Sequence, residues 1–151
     1  MSSISLTGRD TIQIGGRVFT NFADGDVAKI NYPNDLVAVK TGKDGNAIYA
    51  INATGAIAEV ELRVLRGSPD DKFLNAQNKL AQSDLPAYAL MPGYFVKRIG
   101  DGKGGITNDT YLLSGGIVSK NPGATSNVEG NTEQAITLWN LKFTNSDRAS
   151  L

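Results

Sequence analysis

Between Ala58 and Val64 every second residue is apolar: Ala58, Val60, Leu62 and Val64 fall on one side, Glu59, Glu61 and Arg63 on the other. Two is the period of a pleated strand, so this segment reads as a strand with one dry and one wet face. The period then changes within five residues, at Gly67-Ser68-Pro69-Asp70-Asp71. Ser68 can cap a helix, Pro69 suits its first turn, and two aspartates complement the positive end of its dipole. The pattern predicts one helix over about residues 69–82, with Phe73, Leu74, Ala76, Leu80 and Ala81 as its apolar stripe, ended by Ser83-Asp84-Leu85-Pro86. The fold must therefore pack a helix on a sheet.

The remaining segments read as short strands. Thr11 to Ile14 and Arg17 to Phe22 flank Gly15-Gly16, a pair suited to a two-residue hairpin turn. Asp24-Gly25 turns the chain again before Asp26 to Tyr32, where Ala28, Ile30 and Tyr32 share one face. Leu36 to Lys40 and Ala47 to Asn52 are strand-like and joined by a polar Asp-Gly segment, so residues 36–53 are expected to form a protruding hairpin. Tyr94 to Ile99, Tyr111 to Ser119 and Gln134 to Phe143 complete the set, separated by glycine-rich loops at Gly100 to Gly105 and Asn121 to Gly130. The last strand is apolar on both sides, with Trp139, Leu141 and Phe143 on one face and Ile136 and Leu138 on the other. Either a neighbouring subunit covers the second face, or the strand is central within its own domain. Asn145 to Leu151 is polar and is expected to fray. The chain of 151 residues is expected to form one mainly β domain, residues 1–151, and its 17 glycines favour many turns.

Composition narrows the chemistry. The sequence has no cysteine and no histidine, which removes disulfides, thiolate nucleophiles, and the commonest general base and metal ligand. Lys and Arg number 15, as do Asp and Glu, so no net field draws a polyanion to the surface. The start, Met1 to Leu6, lacks a basic and then apolar pattern, and an apolar run long enough to span a bilayer is missing, so no membrane insertion is expected. Asp24-Gly25-Asp26 and Asp101 to Gly105 lack the ligand series of a calcium loop, and Gly102-Lys103 lacks the following Ser or Thr of a phosphate loop. Ser114-Gly115-Gly116 has no base beside it. Glu59 and Glu61 are a close carboxylate pair, readable as glycosidase acids or as a solvated strand face. Trp139 with Leu141 and Phe143 is readable as a sugar-stacking platform or as core. The sequence thus offers no catalytic, cofactor or metal constellation, and an enzyme is not expected.

Ile4 to Ile12, Gly16-Arg17-Val18, Asp24-Gly25-Asp26-Val27, Tyr32-Pro33-Asn34-Asp35, Val39 to Asn46 and Leu62 to Asn75 resemble the tail tube proteins of contractile-tailed bacteriophages over the first half of the chain. The resemblance implies a β-sandwich or half-barrel with a flanking helix, closed into hexameric rings that stack helically as the inner tube of the virion tail. It implies a role for Lys40, Thr41, Gly42, Lys43, Asp44, Gly45 and Asn46 in contact with the adjacent ring. Implied partners are the tail sheath, baseplate and tail terminator proteins, a tape-measure protein in the lumen, and double-stranded DNA in transit without sequence-specific binding. Assembly would take place in the bacterial cytoplasm. A lumen that conducts DNA should avoid strong positive charge, which makes Glu59 and Glu61 lumen-face candidates. Ile136, Leu138 and Trp139 are candidates for subunit interface or core. The same architecture would serve a tailocin or type VI secretion tube, and a carbohydrate-binding module on a virion is the remaining alternative.

Overall fold

The computed structural model describes residues 4–6, 10–23, 27–124 and 135–150, and of residues 5 and 6 the backbone alone. In chain order the elements are β1 (Ser5–Leu6), β2 (Thr11–Ile14), β3 (Arg17–Val18), β4 (Ala28–Asn31), β5 (Val37–Thr41), β6 (Ala47–Ile51), β7 (Ala58–Leu65), α1 (Pro69–Ser83), β8 (Met91–Gly100), β9 (Ile106–Ala124) and β10 (Ile136–Ser150). All pairings are antiparallel, and the main sheet of 8 strands runs β3-β2-β8-β9-β10-β7-β4, with β1 also on β8. β5 and β6 form a separate ribbon. The Asp24-Gly25 turn and the end of the loop at Asn121 to Gly130 lie outside the described residues.

The sheet is open but rolled on itself, because β9 and β10 serve two layers. Their outer halves pair with each other beside β8, with Asp147 opposite Leu112 and Leu112 opposite Tyr94. The other half of β10 lies between β9 and β7, with Trp139 opposite Leu62 and Phe143 opposite Ala58. Between the halves β9 carries a bulge where Met91 and Gly93 face Gly116 and Leu113, and Gly115 there takes φ 69°. Bulges of this kind let strands switch layers at a corner. A Cβ on Gly116 would overlap the Phe143 ring and sit 2.6 Å from the Met91 carbonyl oxygen. Ser114-Gly115-Gly116 is thus a sheet corner.

The faces that meet inside are those the alternation predicts. Ala58, Val60, Leu62 and Val64 are all buried, and they join Ile12, Ile14, Phe95, Leu113, Trp139, Leu141 and Phe143 in one core. A single stretch of chain also draws the two sheet edges together. Arg17 and Val18 pair with β2, while Phe22 bridges Val64 and the Leu65 amide donates to the Asn21 carbonyl.

Helix α1 begins as expected, with Ser68 Oγ accepting from the Asp71 amide and Pro69 in the first turn. Its two aspartates do far more than complement a dipole. Asp70 is fully buried and accepts from the Thr20 and Asn21 amides, each at 2.8 Å, and from Arg17 Nε at 3.0 Å. Asp71 accepts from Trp139 Nε1 at 2.8 Å and from the Gly67 amide at 2.9 Å. The helix face differs from the expected stripe: Asp70, Leu74, Asn78 and Ala81 are buried, whereas Ala76 and Leu80 are exposed. Asn78 replaces Leu80 because its amide donates to Asn121 Oδ1 at 3.2 Å on β9, so the buried polar group is satisfied.

Two further expectations are corrected. Residues 145–150 do not fray but extend β10, pairing with Asp109 to Ser114. β9 is also much longer than the expected Tyr111 to Ser119, because pairing with β8 and β10 carries it through polar residues that no strand pattern marks.

Replacing Asp70 by Ala leaves the Thr20 and Asn21 amides and the half-buried Arg17 guanidinium without their acceptor, and should lower unfolding free energy by about 2–4 kcal/mol. Trp139→Phe keeps an aromatic ring but removes the indole N–H that Asp71 accepts and some buried volume, and should cost about 1–3 kcal/mol. Urea denaturation followed by fluorescence for Asp70→Ala, and by circular dichroism for both, checks the order of the two effects.

Candidate assembly surface

The hairpin read over residues 36–53 contains a ribbon that is separate from the main sheet and exposed along both strands. In β5 and β6, Val37 faces Ile51, Val39 faces Tyr49 and Thr41 faces Ala47, so opposed residues put an almost wholly apolar strip on one side. Every residue of both strands is exposed, with Ile51 at 84 % and Tyr49 at 70 %. The other side carries Ala38, Lys40, Ile48 and Ala50. A lone two-stranded hairpin is marginal in water, and contiguous exposed apolar surface marks an interaction site. The base of the ribbon is nevertheless held firmly. The Asn52 amide donates to the Leu36 carbonyl at 2.7 Å, and Gly55 lies so near that a Cβ there would come within 2.5 Å of Leu36 Cα. Gly42, Lys43, Asp44, Gly45 and Asn46 form the turn, closed by the Gly42 amide donating to the Asn46 carbonyl at 2.8 Å.

Glu59 and Glu61 lie on the outer face of β7, as the alternation requires. Lysines are interleaved with them: Lys142 sits opposite Glu59, with its Nζ 3.9 Å from the carboxylate, and Lys29 sits opposite Glu61. The face is therefore mixed in sign. Trp139 is 1 % exposed and Ile136 8 %, both within a strand flanked by β7 and β9, while Leu138 is half-buried. Of the two readings for this strand, the central position accounts for Ile136 and Trp139, and a ring that is buried offers no sugar-stacking face.

Chemistry is sparse. Among the described residues no three acidic side chains gather as metal ligands. A cleft of about 200 Å³ opens between β4 and the inner face of β2, β8 and β9, but Asp10 and Asp109 on its wall are taken up by Lys97 and Arg148. Among the described residues no helix is long and apolar enough to cross a membrane.

No protein-family model matches the sequence, and no curated protein matches it. Solved structures do. The tube-terminating cap of the anti-feeding prophage superposes with a TM-score of 0.64 at 11% identity, over 96% of this chain and 90% of that one. The sheath/tube terminator of an extracellular contractile injection system gives 0.61 at 11% identity, over 94% of each chain. A chain of the sheath-tube complex of the same kind of system gives 0.60 at 11% identity, over 95% and 89%. The fold is tail-tube-like. At this identity the likeness concerns backbone architecture: a rolled antiparallel sheet with one helix.

One polar cluster of this tail-tube-like fold escaped sequence reading. Arg148 makes two hydrogen bonds to Asp109, at 2.9 and 2.8 Å, and lies 5.2 Å from the centre of the Tyr111 ring. The fork geometry fixes the end of β10 on β9. The hydrogen bond from Arg148 holds the Asp109 carboxyl below its ordinary value of 3.8, against an opposing contribution from burial. Because the folded pKa is depressed, the pair stabilises the strand end above about pH 4 and loses that effect as pH falls through the folded value. Arg148→Ala should therefore accelerate amide exchange of residues 146–150 near pH 6, with the difference from wild type shrinking toward pH 3. Exchange monitored by NMR at both pH values checks this; a difference that persists undiminished in acid would mean the pair is not its source.

Proposed function

We propose that this chain is a tail tube protein of a contractile-tailed bacteriophage, a structural component and not an enzyme. It closes into rings, hexameric by the resemblance, which stack helically inside the sheath of the virion tail. The lumen holds a tape-measure protein before ejection and passes double-stranded DNA afterwards without reading its sequence. The sheath, baseplate and terminator proteins are its other partners, and it assembles in the host cytoplasm. The observation that supports this most is the apolar ribbon of β5 and β6, standing exposed on a tail-tube-like body. Such a surface favours burial against another protein, and a copy of the same chain is always present at equal concentration. The turn from Lys40 to Asn46 then meets the adjacent ring, while the outer face with Glu59 and Glu61 remains the candidate for the lumen.

A second reading is a tube terminator, favoured because two of the three superposed structures are terminators or caps of contractile injection systems. A terminator forms single rings, whereas a tube protein continues to stack. A tube from a tailocin, type VI apparatus or injection system shares the stacking and is separated by the neighbouring genes.

Negative-stain microscopy of concentrated protein should show hollow tubes of uniform width. Ile51→Asp should abolish them while leaving the urea midpoint nearly unchanged, since the side chain is 84 % exposed. Single rings alone would establish the terminator reading, and a monomer at every concentration, even with its sheath partner, would sink both.

A further inference from the structure

The outer layer of the sheet carries an apolar row at right angles to its strands. Val18, Gln13, Tyr94, Leu112 and Asp147 are successive register partners across β3, β2, β8, β9 and β10. They point away from the core: Ile12, Ile14, Phe95 and Leu113, their neighbours in sequence, are buried. Val18 is 53 % exposed, Leu112 48 % and Tyr94 40 %. The row thus begins with valine, passes Gln13 to an aromatic and a leucine, and ends on an exposed carboxylate.

We propose that this row receives the ribbon of a second copy of the chain, laid across the strands with its base on Val18 and its turn at Asp147. This rests on the self-assembly reading and adds the surface that the ribbon meets. Three features support it. Four inter-strand gaps make the row about 19 Å long, and the ribbon from Val37 to Lys43 rises about 20 Å. Polarity runs in the same order along both, from Val37 and Ile51 through Val39 and Tyr49 to Lys43, and from Val18 through Tyr94 and Leu112 to Asp147. Charge at the matched ends is opposite, Lys43 against Asp147. The next row on the same face, Thr11, Val96, Thr110 and Ala149, is small or short-branched and leaves room for the ribbon's width. A projecting element that fits a different patch of an identical chain makes a head-to-tail contact, which propagates and does not close on a pair.

The test is a charge exchange across the contact, read as the protein concentration at which half the chains sediment as assemblies. Lys43→Glu and Asp147→Lys should each raise that concentration about three- to tenfold, and the double variant should return to within about twofold of wild type. Leu112→Glu should raise it more than either. Because all three side chains are exposed, urea midpoints should stay at the wild-type value, which separates lost assembly from lost folding. If wild type assembles and Ile51→Asp does not, while Leu112→Glu assembles normally, the ribbon has another seat and this proposal fails alone. Absence of assembly in wild type itself overturns the tube reading, and this proposal with it.

Discussion

Two adjacent carboxylates at the start of α1 hold three separate parts of the chain in place. Successive residues on a helix diverge by about 100°, so Asp70 and Asp71 reach in different directions from one turn. Asp70 takes the amides of Thr20 and Asn21 and the Arg17 guanidinium, and so ties down the stretch that joins the two sheet edges. Asp71 reaches Trp139 in the central strand and closes the preceding turn through Gly67. A buried carboxylate is tolerable when its oxygens are filled by donors, and Asp70 is filled by three. The helix is thereby a keystone between layers and not a lid laid on one of them.

With that node in place, the rolled sheet consumes most of the apolar surface. β10 lies between β7 and β9, and of the second apolar face that could have signalled a neighbouring subunit Ile136 is buried at home and Leu138 half-buried. The surplus that remains is elsewhere, on the ribbon. This moves the physical case for assembly from a strand that is buried to a ribbon that is exposed, and it is a stronger case, because Ile51 and Tyr49 remain exposed despite their cross-strand neighbours.

Much of the architecture was legible from short-range pattern. The period-two alternation of Ala58 to Val64, the Ser68-Pro69 helix start and the Gly15-Gly16 turn each act through neighbours within a few residues, and all stand where expected. Reading failed where long-range pairing decides. Asn78 outranks Leu80 as a buried helix residue because Asn121, 43 positions away, accepts its amide. Residues 145–150 look like a frayed tail until Asp109 and Tyr111 are placed beside Arg148, a contact spanning 39 positions. For the assembly surface, a protruding hairpin was expected from Asp44-Gly45, but the extent of its exposure could not be read, since exposure is a property of what the rest of the chain leaves uncovered.

The sequence by itself determined the inventory: a mainly β chain, one capped helix, a hairpin at the Asp-Gly turn, and side chains poor in the groups that catalysis requires. These follow from local sterics, periodicity and chemistry, which need no partner to be read. Tertiary structure alone decided the roles. It made Asp70 and Asp71 a junction, Gly116 the space for an aromatic ring, Trp139 a core residue, and β5–β6 a ribbon left uncovered. The physical reason is that a side chain's fate depends on desolvation by residues distant in the chain, and only the folded arrangement says which of them arrive.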